Sequence, residues 1–199
     1  MKIALLIHGF NVFDGGVATV GKLRPFLANT GVPYIMFDYG LLGVIGTYAK
    51  NKRLAARVAE ACHTAHFAGH EVYAFGHSNG CAILDYAARL HNAPIHKSVY
   101  INPALEKDKV LGDNVKSLDV WHSPSDKPVR FSKYLPLHPW GEMGSTGYQG
   151  AADPRITNYN KETDFDFISK EHSDMFSLEL LPFFGPLVTS TALKLKEPQ

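Results

Sequence analysis

VYAFGHSNGCAIL, residues 72–84, passes from an apolar segment of strand length into an amphipathic segment of helix length. At the junction, Gly76, Ser78 and Gly80 satisfy the pattern G-x-S-x-G. A serine on so tight a turn stands clear of its own backbone, and the flanking glycines let the strand and the helix pass close together. The following helix also directs its first amide groups toward negative charge that develops at the serine. The stretch therefore predicts a nucleophilic serine between a strand and a helix.

Short apolar segments alternate with helix-length ones along the rest of the chain. This alternation indicates one α/β domain over residues 1–199, with a mostly parallel sheet flanked by helices. The predicted strands are Ile3–Ile7, Pro33–Phe37, Glu71–Phe75, Lys97–Ile101, Lys116–Trp121 and Ile156–Tyr159. The predicted helices are Asn51–Phe67, Asn79–Leu90 and Ser173–Leu181. Residues 123–153 are rich in proline and glycine and predict an ordered, functional loop.

The composition is that of an ordinary folded protein and excludes several functional classes. Of 199 residues, 45% are hydrophobic and 20% are charged, and the formal net charge is +1. Since no basic stripe stands out, we expect no nucleic-acid partner. The most apolar stretches are too short to span a membrane, and the N-terminal run lacks the form of a signal peptide. Cys62 and Cys81 fall in predicted helices, and we expect free thiols in a cytoplasmic protein.

Metal and cofactor motifs do not stand out in this sequence. The histidines and cysteines show no metal-ligand spacing, and no glycine-rich segment matches a phosphate-binding or dinucleotide-binding loop. We therefore expect neither a metal nor a cofactor. The sequence does not predict an oligomeric state.

IHGFN, residues 7–11, follows the first predicted strand and, together with the turn at Ser78, resembles the α/β-hydrolase fold family. The resemblance extends over essentially the whole chain. It implies that the backbone N–H groups of Phe10 and Asn79 form an oxyanion hole, which stabilises a tetrahedral intermediate. The connection from Asn102 to Asn114 is short, so we expect an open site with a minimal cap domain or none.

The same resemblance identifies the acid and the base, because in this family they follow the serine along the chain in that order. WHSPSDKPV, residues 121–129, is similar to the family's acid-bearing turn and makes Asp126 the expected acid. His172, in a polar segment before the last predicted helix, is the expected base. His122 and His138 are the alternatives to His172. The other aspartates considered, which fit the acid position less well, are Asp108, Asp113, Asp119 and Asp153.

Ser78, Asp126 and His172 imply a serine hydrolase that cleaves small-molecule carboxylic esters through an acyl-enzyme intermediate. A thioesterase, lipase or amidase could use the same triad, and a binding protein could retain the fold without the activity. Two loops are expected to shape the substrate pocket, and the side chains we expect there are Leu41, Leu42, Trp140, Met143 and Tyr148.

Overall fold

A parallel β-sheet forms the centre of the protein. The structure, a computed structural model, describes residues 1–10, 12–41, 47–132, 140–167 and 171–193. Within these residues, six strands pair in the order β2-β1-β3-β4-β5-β6, and every pairing is parallel. The strands are β1 (Lys2–Ile7), β2 (Tyr34–Phe37), β3 (Glu71–His77), β4 (Lys97–Ile101), β5 (Leu118–His122) and β6 (Ile156–Asn160). The predicted α/β architecture with a parallel sheet is thus confirmed.

The strand order reverses direction at β1, and this reversal fixes where a site can form. β1 pairs with β2 on one side and with β3 on the other, so the connections from these strands diverge to opposite faces of the sheet. In open α/β sheets, ligands bind in the crevice outside the carboxyl ends of the strands at such a switch point. The register aligns Ile7 with Gly76, so the residues that follow β1 and β3 emerge side by side at that crevice.

Helices cover both faces of the sheet. The helices are α1 (Arg24–Asn29), α2 (Thr47–Phe67), α3 (Asn79–His91), α4 (Lys127–Ser132), α5 (Met143–Thr146) and α6 (Leu181–Leu193). Along β1, Leu5 and Ile7 pack into the core beneath α2 and α3, whereas Ala4 and Leu6 pack into the core beneath α1 and α6. Burial of a strand on both faces explains why β1 is a continuous apolar run instead of an alternating one.

Of the predicted helices, α2 and α3 are present and the closing helix differs; the short helices α1, α4 and α5 were not predicted, and the last two lie within the predicted loop 123–153. α3 occupies the predicted span, and α2 begins earlier than predicted, at Thr47. The predicted closing helix Ser173–Leu181 is wrong. Only a short 3-10 turn, Asp174–Phe176, forms there, and the closing helix is α6, with Pro186 inside it. Fully buried Phe184 and Val188 hold α6 against the sheet, and this packing outweighs the backbone hydrogen bond that Pro186 cannot donate.

Three further features bear on the site. Residues 102–117, between β4 and β5, form no helix, so no cap domain is inserted there. Cys62 and Cys81 are free and buried, and burial raises the pKa of the Cys62 thiol to about 12. Among the described residues, no helix is both long enough and apolar enough to cross a membrane.

Candidate active site

Ser78 occupies a strained turn between β3 and α3. Its backbone has φ 53° and ψ −119°, a conformation that residues with a Cβ rarely adopt. Three backbone hydrogen bonds fix the turn: the Ser78 amide donates to Ile101 O at 3.0 Å, and Ser78 O accepts from Cys81 N at 3.1 Å and Ala104 N at 3.3 Å. Strain held in place by its surroundings is typical of a functional site.

The flanking glycines allow α3 to start against the end of β1. A Cβ on Gly80 would lie 2.4 Å from Ile7 O and 2.5 Å from His8 O, far inside van der Waals contact. A Cβ on Gly76 would lie 3.0 Å from Cys81 N. The G-x-S-x-G pattern therefore has the steric basis that the sequence suggests.

The loop after β1 lies directly beside Ser78. A Cβ on Gly9 would be 3.1 Å from the Ser78 Cβ, so only a glycine fits there without displacing its neighbours. The Tyr39 hydroxyl lies 2.8 Å from His8 O and 2.6 Å from Gly9 O, and the Tyr39 ring stacks on His8 at 3.9 Å between centroids. Burial raises the pKa of Tyr39, which keeps its hydroxyl protonated as a donor. Tyr39 thereby fixes the carbonyl groups of the segment that leads to Phe10.

Asn79, the residue after Ser78, is held by a buried polar network. Its side-chain amide exchanges two hydrogen bonds with that of Asn51 on α2, at 2.8 and 3.1 Å. Trp140 Nε1 donates to Asn79 Oδ1 at 2.8 Å, and the edge of the Phe10 ring meets the Trp140 ring at 4.8 Å. Satisfied networks of this kind rigidify their members. The two residues whose amides are expected to bind an oxyanion are therefore linked through one indole.

Asp126 and His172 are brought together, although 46 residues separate them. Asp126 lies on the loop after β5, is 1% exposed, and accepts a hydrogen bond from His172 at 2.8 Å between Oδ2 and Nδ1. Its Oδ1 accepts from the amide of Val129 at 3.3 Å. The backbone of His172 is fixed by Asn102, whose Nδ2 donates to His172 O at 2.6 Å. Because the carboxylate is hydrogen-bonded to Nδ1, Nε2 of the imidazole is available to a hydroxyl group.

His77 connects the His172 ring to the Ser78 turn. The two imidazole rings lie 4.9 Å apart, and the edge of Phe176 meets His77 at 5.1 Å. Complete burial, followed by the proximity of His172, lowers the pKa of His77 well below its usual value, so His77 is neutral at pH 7. Because His77 directly precedes Ser78, this contact places His172 next to the strained turn.

The described alternatives to His172 and Asp126 have other partners and surroundings. His122 is the buried last residue of β5, and burial lowers its pKa. Asp119 lies within β5 and forms a buried ion pair with Lys97 at 2.8 Å, near the amino ends of the strands. Asp153 pairs with Arg155 at 2.7 Å. His138 lies outside the described residues.

The loop that carries Asp126 is held by Glu162, from the turn after β6. Glu162 Oε1 accepts hydrogen bonds from the Ser123 hydroxyl at 2.5 Å and from the Ser125 amide at 2.7 Å. Burial raises the pKa of Glu162, but the hydrogen bonds from Ser123 and Ser125 outweigh it and lower the pKa overall. The loop before the candidate acid is thus fixed to the outermost strand of the sheet.

The expected pocket residues have different surroundings. Trp140 lines a cavity of about 380 Å³ together with Tyr48, Lys52 and Leu105. Met143 is 1% exposed within the core beneath α2 and α3, and Tyr148 donates its hydroxyl to Ala151 O at 3.1 Å. Leu41 is half exposed, and Leu42 lies outside the described residues.

Several residues of this site were not predicted from the sequence. Asn102 follows β4 directly, and Glu162 lies just after β6, so the rule that functional side chains follow parallel strands could have identified both. Asn51 carries no such signal, because its role depends on contacts across the fold. The described residues contain no cluster of three or more metal-ligating side chains.

Comparisons with known proteins found similar structures but no protein of related sequence. No family model and no curated protein matches the sequence. Alpha/beta hydrolase domain-containing protein 10 from mouse superposes with a TM-score of 0.64 at 12% identity, covering 97% of this chain and 90% of that one. A monoacylglycerol lipase from Paleococcus ferrophilus gives 0.62 at 14%, covering 96% and 93%. An esterase from Pyrococcus furiosus gives 0.60 at 13%, covering 97% and 81%.

Proposed function

Because the chain has the α/β-hydrolase fold, we propose that it is a serine hydrolase that cleaves small-molecule carboxylic esters. The observation that carries this proposal is the hydrogen bond between Asp126 and His172, at the same sheet edge as the strained Ser78. Packing alone does not require a buried carboxylate and an imidazole to pair at the sheet edge that carries a strained serine. The hydrolase, esterase and lipase neighbours give further support at the level of the fold.

In the proposed mechanism, the ester is cleaved in two acyl-transfer steps. His172 takes the hydroxyl proton of Ser78, and Ser78 Oγ attacks the ester carbonyl to form a tetrahedral intermediate. The amides of Phe10 and Asn79 bind its oxyanion, and His172 then protonates the leaving alcohol. A water molecule deprotonated by His172 releases the acid by the same route. Asp126 orients His172 and stabilises the imidazolium form in both steps.

The proposed mechanism does not determine which leaving group or which acyl group the protein accepts. Thioesters, amides and lipid esters would pass through the same intermediates, so a thioesterase, amidase or lipase is the alternative within the same chemistry. Trp140 is our candidate for a pocket wall, because it links the oxyanion loop to a cavity. The cytoplasmic location stays a prediction.

The test is covalent labelling with a fluorophosphonate, read by intact mass. We expect one adduct on the native protein, none on Ser78→Ala, and an undiminished adduct on Ser190→Ala, a serine within α6. His172→Ala should lose the adduct, whereas His122→Ala should keep it. An unlabelled native protein that is well folded would favour the binding-protein alternative. Loss of labelling in His122→Ala alone would reassign the base.

A further inference from the structure

Lys161, the residue after β6, is buried completely beside the candidate triad. Its side chain is 0% exposed, although a lysine is almost never buried to this degree without a partner. Burial lowers the pKa of Lys161, while Asp174 and then Asp126 raise it. Its Nζ lies 3.7 Å from Asp174 Oδ1. An ammonium group enclosed in this way is costly to desolvate, so nearby negative charge must compensate for its burial.

Lys161 lies between the two segments that supply the acid and the base. Its backbone amide donates to His122 O at 2.9 Å, which fixes it to the strand that leads into the Asp126 loop. Asp174 comes two residues after His172, and its carboxylate also accepts a hydrogen bond from the Glu171 amide at 3.3 Å. The ion pair therefore connects the segment of His172 to the outermost strand.

Charged groups from several elements of the fold act on Lys161. The titratable groups that interact electrostatically with Lys161 include Asp174 on the 3-10 turn, Asp126 on the acid loop, Glu162 on its own turn, His122 on β5 and His77 on β3. His172 in turn faces Asp126 and His77. Asp126 is 1% exposed, so its negative charge is shielded from water and depends on nearby positive charge.

We propose that Lys161 is a positioning residue of the triad: its buried ammonium group balances the charge of Asp126 and, through Asp174, fixes the segment that carries His172. The catalytic part of this inference rests on the proposed function. Its electrostatic part applies to the Asp126–His172 pair whether or not an ester is cleaved. Removing the ammonium group makes the pair bind a proton more readily, whichever member takes it, because a nearby positive charge opposes protonation.

The test measures protonation directly, by NMR titration of ¹³C-labelled histidine, with the His172 signal assigned from His172→Ala. In Lys161→Met we expect the titration midpoint of His172 to move up by at least about 0.5 pH unit, a threefold change in proton affinity. In Asp174→Asn, which removes a negative charge, the midpoint should move down. The acid limb of kcat/KM for a p-nitrophenyl ester should shift in the same directions.

Lys97→Met is the matched control, because Lys97 is also a buried lysine in an ion pair, at 2.8 Å from Asp119, but near the amino ends of the strands. The Lys97→Met variant should be less stable than the native protein and should leave the titration midpoint of His172 unchanged. If the titration midpoint of His172 is the same in Lys161→Met as in Lys97→Met, the proposal is overturned. If Lys161→Met does not fold, Asp174→Asn decides, and an unchanged midpoint there refutes it. A shifted midpoint in a protein that fluorophosphonate does not label would keep the coupling and reject the hydrolase.

Discussion

Replacing Ser78 by glycine should abolish hydrolysis and yet give a more stable protein than replacing it by alanine. At φ 53° and ψ −119° the backbone of Ser78 has the form found at the first central position of a type II′ turn, which glycine favours. Strain of this kind costs about 1–3 kcal/mol for a residue with a Cβ. Both variants lose the proposed nucleophile, but only Ser78→Gly releases the strain.

The size of the difference follows from two opposing terms. Glycine loses about 0.5–1 kcal/mol more conformational entropy than alanine on folding. Subtracted from the strain, this leaves Ser78→Gly more stable than Ser78→Ala by about 1 kcal/mol. In a domain of this size, that corresponds to a melting temperature about 2–4 °C higher.

Urea unfolding of both variants measures this difference, and Ser190 supplies the control. Ser190 lies in α6 and is partly buried, so there Ser190→Gly should be less stable than Ser190→Ala by about 1 kcal/mol, the ordinary helix preference. The two positions should therefore rank glycine and alanine in opposite orders. The same order at both positions would refute the reasoning that the Ser78 turn is strained.

Three other changes test the site and its support. Asp126→Asn should lower kcat by about 10²–10⁴-fold with normal folding, because asparagine holds the wrong imidazole tautomer; ester hydrolysis and circular dichroism measure this. Gly80→Ala should destabilise the protein by about 3 kcal/mol in urea unfolding, because the new Cβ meets Ile7 O at 2.4 Å. Burial lowers the pKa of His77 below its usual 6.5, so the unfolded chain binds the proton first and stability falls as the pH drops below about 6.5, by up to about 1.4 kcal/mol per pH unit. His77→Gln should make this slope shallower.

Each of these changes has a control and a contrary outcome. Asp153→Asn should retain full activity, and near-normal kcat in Asp126→Asn would give the acid role to another carboxylate. Gly31 has open space around its Cβ position and φ +70°, so Gly31→Ala should cost only about 1 kcal/mol, and equal costs at both glycines would contradict the steric argument. His66→Gln, at an exposed position, should leave the dependence of stability on pH unchanged. An unaltered slope in His77→Gln would contradict the role given to the buried His77 imidazole.

The Ser78 turn could be predicted from the sequence because its determinants are local. Two glycines, a serine, an apolar strand and an amphipathic helix lie within residues 72–84, and each acts on its immediate neighbours. Asp126 and His172 were placed by their order along a family pattern, and the structure supplies the contact between them that no local pattern encodes.

The C-terminal helix and the buried support residues could not be predicted in the same way. Pro182 lies in the first turn of α6, where proline is tolerated, and the packing of α6 against the sheet compensates for Pro186. Lys161 is an ordinary surface residue by sequence, and only the surrounding elements bury it. Burial of a charge is a property of the assembled fold, so its signal is absent from the local sequence.

The long-range ties of His172 have a consequence for how activity appears during refolding. Its bonds to Asp126 and Asn102 close loops of 46 and 70 residues, and loop closure of that length is slow relative to helix formation. α2 and α3 can gain helical structure from contacts close in sequence, whereas the imidazole reaches its working position only after β5 and β6 have joined the sheet. A refolding chain should therefore recover its far-ultraviolet circular dichroism before its reactivity toward fluorophosphonate.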